Sequence, residues 1–384
     1  MAYTPSHIVR RLGWQPATPA FGPALIATLG CALPLLLGLF SGHSGFIWAA
    51  TGAFIAALAK PLQRLGMLHM CLLVGLGAVS AGIGFWSDRD PVASGLLFGL
   101  YGLVFAWLQR QGREAGKFGF CLAICLCLGH GQHGIGALHS GLAVGTLFVL
   151  GGCWVMFLGF GLRGIHGLRM WPDLPSLRVV SRVQRRHNRQ LPRYRWVLFA
   201  TVAAISTALA GLIATFFELP RDYWMTLATF AVLQLDPRFS ARNALRAAIV
   251  ALVVLLLVSV LGHSLQSPQH LVLVILALVY ATRAFLARRY AAYILQVLVC
   301  FVLLAEALSR DWYFAMQRLE NGVYGAAIAL TMVLIADRLS QKWGERRDAR
   351  ILASTASSVA ATSGEPGSSI PCETHASDDP NRVP

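Results

Sequence analysis

Arg242 and Arg246 stand four residues apart, so on a helix both guanidinium groups project from one face. Two guanidinium groups suit a carboxylate, because each offers paired N–H donors that match its two oxygens. They follow Gln234, Asp236 and Arg238 at the end of an apolar segment. Arg318 and Glu320 open a later apolar segment, and Glu306 closes the one before it. Charge beside hydrocarbon is costly and marks a pathway or a partner, so Glu306 and Glu320 are candidates to carry a proton. Plainer readings stay open: arginines as interfacial anchors, and glutamates as rim charges paired with Arg310 or Arg318.

A second constellation is richer in metal ligands. Cys121, Cys125 and Cys127 precede His130, His133 and His139. Cys121 and Cys125 share a helical face, but Cys127 points elsewhere, and the glycine-rich stretch 129–136 fixes no ligand geometry. Small packing cysteines and loop histidines are the expected reading, with no metal and no cofactor. No glycine-rich loop ending in Lys-Ser or Lys-Thr is present, and no Ser–His–acid spacing stands out. No catalytic residue is assigned, and the chain is read as a non-enzyme.

The elements that must hold these residues are membrane helices. Of 384 residues 56% are hydrophobic and 13% charged, far too apolar for a soluble domain of this length. Crossing the roughly 30 Å hydrocarbon core takes about 20 apolar residues. Twelve candidate spans lie near 22–40, 44–59, 67–86, 92–108, 118–130, 141–162, 196–216, 222–235, 247–263, 270–286, 291–307 and 319–336. Basic residues concentrate in alternate gaps: 28 of the 32 fall on one side, leaving Arg89, Arg221, Arg310 and Arg318 on the other. The positive-inside rule then places both termini in the cytoplasm. The net charge of +15 is thereby explained by loops facing anionic headgroups, without nucleic acid. The apolar run after Arg10 and Arg11 lacks a small-x-small cleavage site and reads as a retained first span.

The expected fold is all-α and polytopic: about twelve transmembrane helices arranged as two parallel six-helix repeats. Residues 1–162 form the first repeat, 163–195 a basic cytoplasmic linker, 196–337 the second repeat and 338–384 a disordered cytoplasmic tail. Trp171-Pro172-Asp173-Leu174-Pro175 stops any helix entering the linker. Arg178, Arg182, Arg185 and Arg189 then recur at helical spacing, which fits a surface amphipathic helix or a solvated linker. A weak internal match joins the halves. Trp48…Phe54…Lys60-Pro61 has the spacing of Trp224…Phe230…Asp236-Pro237, and both stretches fall in the second span of a half. Gly75, Gly77, Ala81 and Gly82, Gly141 and Gly145, and Gly322 and Gly325 supply the small residues that let membrane helices approach closely.

The stretch Tyr223-Trp224-Met225 through Gln234-Leu235-Asp236-Pro237, with Arg242 and Arg246 downstream, resembles the fusaric acid resistance (FUSC) family of aromatic acid exporters. Arg318-Leu319-Glu320-Asn321-Gly322 leading to Gly325 resembles that family's closing element. The resemblance covers about 120 residues of the second half. It implies an inner-membrane exporter of aromatic carboxylic acids or related toxic organic anions, working with a periplasmic adaptor and an outer-membrane channel. Carried over by position, Trp224, Pro237, Arg246 and Arg318 are its family-like residues. The chain departs from the family at Ala247-Ala248-Ile249-Val250, where Gly-Thr-x-x-Gly is usual, and lacks a large cytosolic domain between the halves.

The function expected from all this is a proton-coupled secondary exporter of small organic anions in a bacterial inner membrane. Arg242, Arg246, Arg318 and Trp224 are its substrate-binding candidates and Glu306 and Glu320 its proton sites. Trp48, Pro61 and Pro237 belong to the structural motif. Homo-oligomerisation stays open, as do a passive anion channel of the same architecture and a non-transporting membrane scaffold.

Overall fold

The computed structural model describes residues 20–59, 66–131, 138–168, 193–233, 267–286 and 319–339, with scattered positions in 245–256, 293–304, 317 and 341. Among the described residues there is no strand. Ten helices are delimited: α1 Phe21–Ser41, α2 Phe46–Leu58, α3 Gly66–Ser87, α4 Pro91–Arg110 and α5 Arg113–His130. They continue with α6 Gly141–Leu168, α7 Arg193–Phe216, α8 Tyr223–Val232, α9 Pro268–Ala284 and α10 Leu319–Leu339. Residues Met1–Asp337 form one compact unit and Arg338–Pro384 another.

Among the described residues, six helices are long and apolar enough to cross a bilayer: α1, α3, α4, α6, α7 and α10. With them lie three shorter apolar helices, α2, α8 and α9. The chain is a multi-pass membrane protein. Its long helices carry the stripe that lipid demands. On α3, Leu68, Leu72, Leu76, Val79, Ile83 and Trp86 are exposed at helical intervals, and on α4 Leu96, Leu100, Leu103 and Trp107. In water such stripes would be a liability; facing lipid tails they cost nothing. Expected spans 247–263 and 291–307 fall mostly outside the described residues, as does the linker segment 176–190. α6 runs on to Leu168 and α7 begins at Arg193, inside the stretch read as linker.

Local signals set several helix ends. Asp90 caps α4 by accepting from Val92 N at 3.0 Å, with Pro91 at the first helical position. Ser267 caps α9 in the same way, accepting from His270 N at 3.3 Å ahead of Pro268. Gly42 closes α1 at φ 71°, in the left-handed region that only glycine enters freely.

The two short helices α2 and α8 are different from the rest. Each is apolar all round, and nearly every residue of each is buried in protein. Each ends in extended backbone, at Ala59 with ψ 165° and at Leu233 with ψ 99°. Backbone that leaves the helix at membrane depth must find partners within the protein. Arg283 at the end of α9 donates to Ala57 O at 2.7 Å through Nε and to Ala59 O at 2.9 Å through Nη2. Gln109 at the end of α4 donates through Nε2 to Leu233 O at 3.3 Å. Counted from Trp48 and Trp224, Ala57 and Leu233 occupy the same position.

Other contacts repeat at that register. Gly151 of α6 lies against the Ala49 carbonyl of α2, and Gly325 of α10 against the Met225 carbonyl of α8. Trp48 and Trp224 are both buried, as are Phe54 and Phe230. The helix pairing is also reciprocal: α4 packs along α7, and α9 packs along α1. Glycines drive the closest approaches, since packing, not water exclusion, separates good from poor contacts in lipid. Gly82 and Gly141 each face the other's carbonyl, and Gly129 faces the Ala81 carbonyl. Gly75 faces open space and is not part of such a contact.

Candidate functional site

Four helix ends meet at one end of the bundle, around His130. The imidazole belongs to the last residue of α5 and is fully buried. Glycines bring it there. Gly84 of α3 lies against Leu126 O and His130 N, and Gly131 lies against the Tyr223 ring at the start of α8. Phe98 of α4 closes another side, its ring centroid 5.0 Å from the imidazole at 85°.

Two carboxylates flank the ring. Asp222, the residue before α8, places Oδ2 3.1 Å from His130 Nε2. Asp88, in the turn between α3 and α4, places Oδ1 at 3.7 Å. Thr215 Oγ1, near the end of α7, is 3.2 Å from Nε2, and Ser87 Oγ, the last residue of α3, is 3.3 Å from Nδ1. Each acid adjoins an arginine in sequence, Arg89 and Arg221.

The turn carrying Asp222 is held in a demanding conformation. Glu218 at φ 46° and Arg221 at φ 61° are non-glycine residues in left-handed backbone, which side chains disfavour. Asn321 of α10 pins the turn, donating through Nδ2 to Pro220 O at 2.9 Å and to Arg221 O at 3.2 Å. Sterically costly backbone persists where surrounding contacts over-determine it, and it gathers at functional sites.

The hydroxyls allow one assignment of the ring protons that satisfies every contact. Ser87 gives its only hydroxyl proton to Gly84 O at 2.9 Å, and Thr215 gives its own to Gly211 O at 3.0 Å. Both oxygens therefore meet the imidazole as acceptors. Asp222 Oδ2 is an acceptor too. Hydrogen bonds at both Nδ1 and Nε2 need both nitrogens to donate, which is the imidazolium form. The ligand atoms of Asp88, His130 and Asp222 also lie within 4.8 Å of one another, close enough to surround a cation. A metal-binding Nε2 has no proton to offer Thr215, so the hydrogen-bond pattern fits the protonated ring better.

Sequence reasoning placed His130 among loop histidines, and here it is corrected: the residue is helical and buried. The helix runs through Gly129, where the sequence suggested a loop, because a glycine there admits the Ala81 carbonyl of α3. Cys121, Cys125 and Cys127 are buried free thiols on the same helix and do not join the His130 group. His139 is exposed.

Of the other sequence candidates, Trp224 is buried at the second position of α8, and its indole Nε1 has no hydrogen-bond partner among the described residues. Trp48 is buried in α2. Glu320 is exposed at the start of α10, beside Asn321. Arg242, Arg246, Arg318, Glu306, Pro61 and Pro237 lie outside the described residues. Asp88 and Asp222 were missed. They sit in short turns far apart in sequence, and their one shared signal was a place, with His130, in or beside gaps on the same expected side.

Residues 207–332 match the family model described as fusaric acid resistance protein-like. That stretch is similar to the FUSC family. It contains α8, Thr215, Asp222, Trp224, Asn321 and Gly325, whereas Asp88 and His130 precede it. The site thus joins the matched stretch to the part of the chain that precedes it. No curated protein and no solved structure matches the chain.

Proposed function

We propose that the protein is a secondary exporter of small organic anions, with aromatic carboxylic acids as the substrate class and the proton gradient as the energy source. The observation that carries this reading is the pair of short buried helices, α2 and α8, whose extended ends take hydrogen bonds from distant helices. Interrupted helices of this kind build the substrate and ion sites of secondary transporters, where irregular backbone at membrane depth lines a pathway. The equivalent contacts made at Ala49 and at Met225, and at Ala57 and at Leu233, support two related halves, parallel about an axis along the membrane normal. The FUSC match supports transport of organic acids.

Trp224 supplies a specific attachment point. Its buried indole N–H has no hydrogen-bond partner among the described residues, which leaves it free to meet a ligand. It would donate to the substrate carboxylate, with Arg242, Arg246 and Arg318 as further anion-binding groups and Glu306 and Glu320 as charges along the route. The arginine distribution supports a bacterial inner membrane location with both termini inside, and a periplasmic adaptor and outer-membrane channel as partners.

Whole-cell efflux tests the reading. Deletion is expected to lower tolerance to benzoate and its hydroxylated and dicarboxylate analogues and to slow their export. Unchanged tolerance and efflux across the whole panel would overturn it. Trp224→Phe keeps the ring and loses the N–H, so the apparent affinity should fall about fivefold or more, as for one lost hydrogen bond to a charged group. An unaltered KM would remove Trp224 from the site.

A further inference from the structure

We propose that His130, held between Asp88 and Asp222, is the proton-carrying group of the transport cycle. The proposal rests on the transport reading above and moves the coupling site from the glutamates to the junction of α3, α5, α7 and α8.

Charge and geometry carry it together. With a neutral ring, two carboxylates would share a mostly buried space with His130, the three ligand atoms within 4.8 Å of one another, and one ring nitrogen would be bare, so that Thr215 at Nε2 or Ser87 at Nδ1 would present a lone pair to it. With the proton bound, every contact of the ring is a hydrogen bond or an attraction. The charged neighbours are few. Asp88 comes from the α3–α4 turn and Asp222 from the start of α8, with Arg89 and Arg221 next to them in sequence. Around the ring, α4 contributes the neutral Phe98, α7 Thr215 and α3 Ser87; α10 reaches only the Asp222 turn, through Asn321.

The proton therefore acts as a clasp between two parts of the chain. Bound at His130, it draws the α3–α4 turn and the α8 turn onto the end of α5. Released, it leaves the two like-charged carboxylates facing each other across an uncharged ring, and their repulsion favours separation of the same elements. α8 is one of the two short buried helices, so a movement at Asp222, just before its first residue, is transmitted to Trp224 two positions on. By the arginine distribution this end of the bundle faces outward, where protons enter down their gradient.

The test uses the purified full chain. In nanodiscs with ¹⁵N-labelled histidine, the spectrum lost on His130→Gln should be that of a doubly protonated ring at neutral pH, giving way to a singly protonated ring as pH is raised. A neutral ring throughout would overturn the proposal. So would a His130 resonance that shifts on adding zinc or manganese, which would make this a cation site. In proteoliposomes loaded with 4-hydroxybenzoate, a pH-sensitive dye reads proton entry coupled to anion exit. His130→Gln should lower that proton entry about tenfold or more. Asp88→Asn, altering a partly exposed side chain, gives a second variant expected to shift the pH dependence of exit while leaving folding intact. Anion exit without any proton movement in the unsubstituted protein would sink this proposal and spare the exporter. Absence of any anion flux would sink both.

Discussion

Gly151→Ala is expected to destabilise the protein by about 3 kcal/mol, the upper end for forcing added volume into a packed site. A methyl group at Gly151 meets the Ala49 carbonyl of α2, with the carbonyl carbon at 2.5 Å and Cα at 2.8 Å. These are backbone atoms of a buried helix and have no rotamer to escape into. Gly52 faces the backbone of Phe148 across the same interface, so α2 and α6 are locked by one glycine from each. The contrast is Gly75→Ala on α3, where nothing lies within 4 Å of the added carbon. There the change removes a flexible residue from a helix and should be neutral or stabilising by up to about 1 kcal/mol. Thermal unfolding of the two purified variants in detergent measures both. Equal Tm values would show that α2 and α6 are not in backbone contact.

Arg283→Ala is expected to cost about 3 kcal/mol or more, because two charge-assisted hydrogen bonds disappear together. The guanidinium is 4% exposed and satisfies Ala57 O and Ala59 O where α2 gives way to extended chain. Arg283→Lys separates charge from shape. A single ammonium cannot copy the two-pronged reach of Nε and Nη2, so it should recover part of the stability and not all of it. The order wild type, lysine, alanine in resistance to unfolding by denaturing detergent is the expected result. Lysine and alanine variants both matching wild type would show that the α2 terminus is capped by something else.

Much of this architecture was legible in the sequence, for a physical reason. Lipid imposes a long apolar run on each spanning helix, so α1, α3, α4, α6 and α7 could be drawn within a few residues of their ends. The Trp48 and Trp224 stretches were legible as a motif and in extent, with α2 and α8 lying within three residues of the expected 44–59 and 222–235. The substrate arginines Arg242, Arg246 and Arg318 were chosen by residue type and stay outside the described residues.

The His130 site could not be assembled from sequence. Its acids and its base come from three turns and helix ends, brought together by glycine contacts whose partners are tens of residues away. Gly129 looked like a loop former in isolation and is instead the flat spot that lets α3 reach α5. Asp222 was read as an edge of the eighth span. The hydroxyl donations of Ser87 and Thr215, which fix the role of the ring, exist only once α3 and α7 are helical.

The Arg283 contacts bear on the order of events at the ribosome. The side chain that completes the end of α2 emerges 226 residues after Ala57. At about 5–20 residues per second that delay is roughly ten to fifty seconds. Throughout that time the nascent chain holds open carbonyls inside the bilayer, so a chaperone or the insertion machinery has a defined interval in which to shelter them.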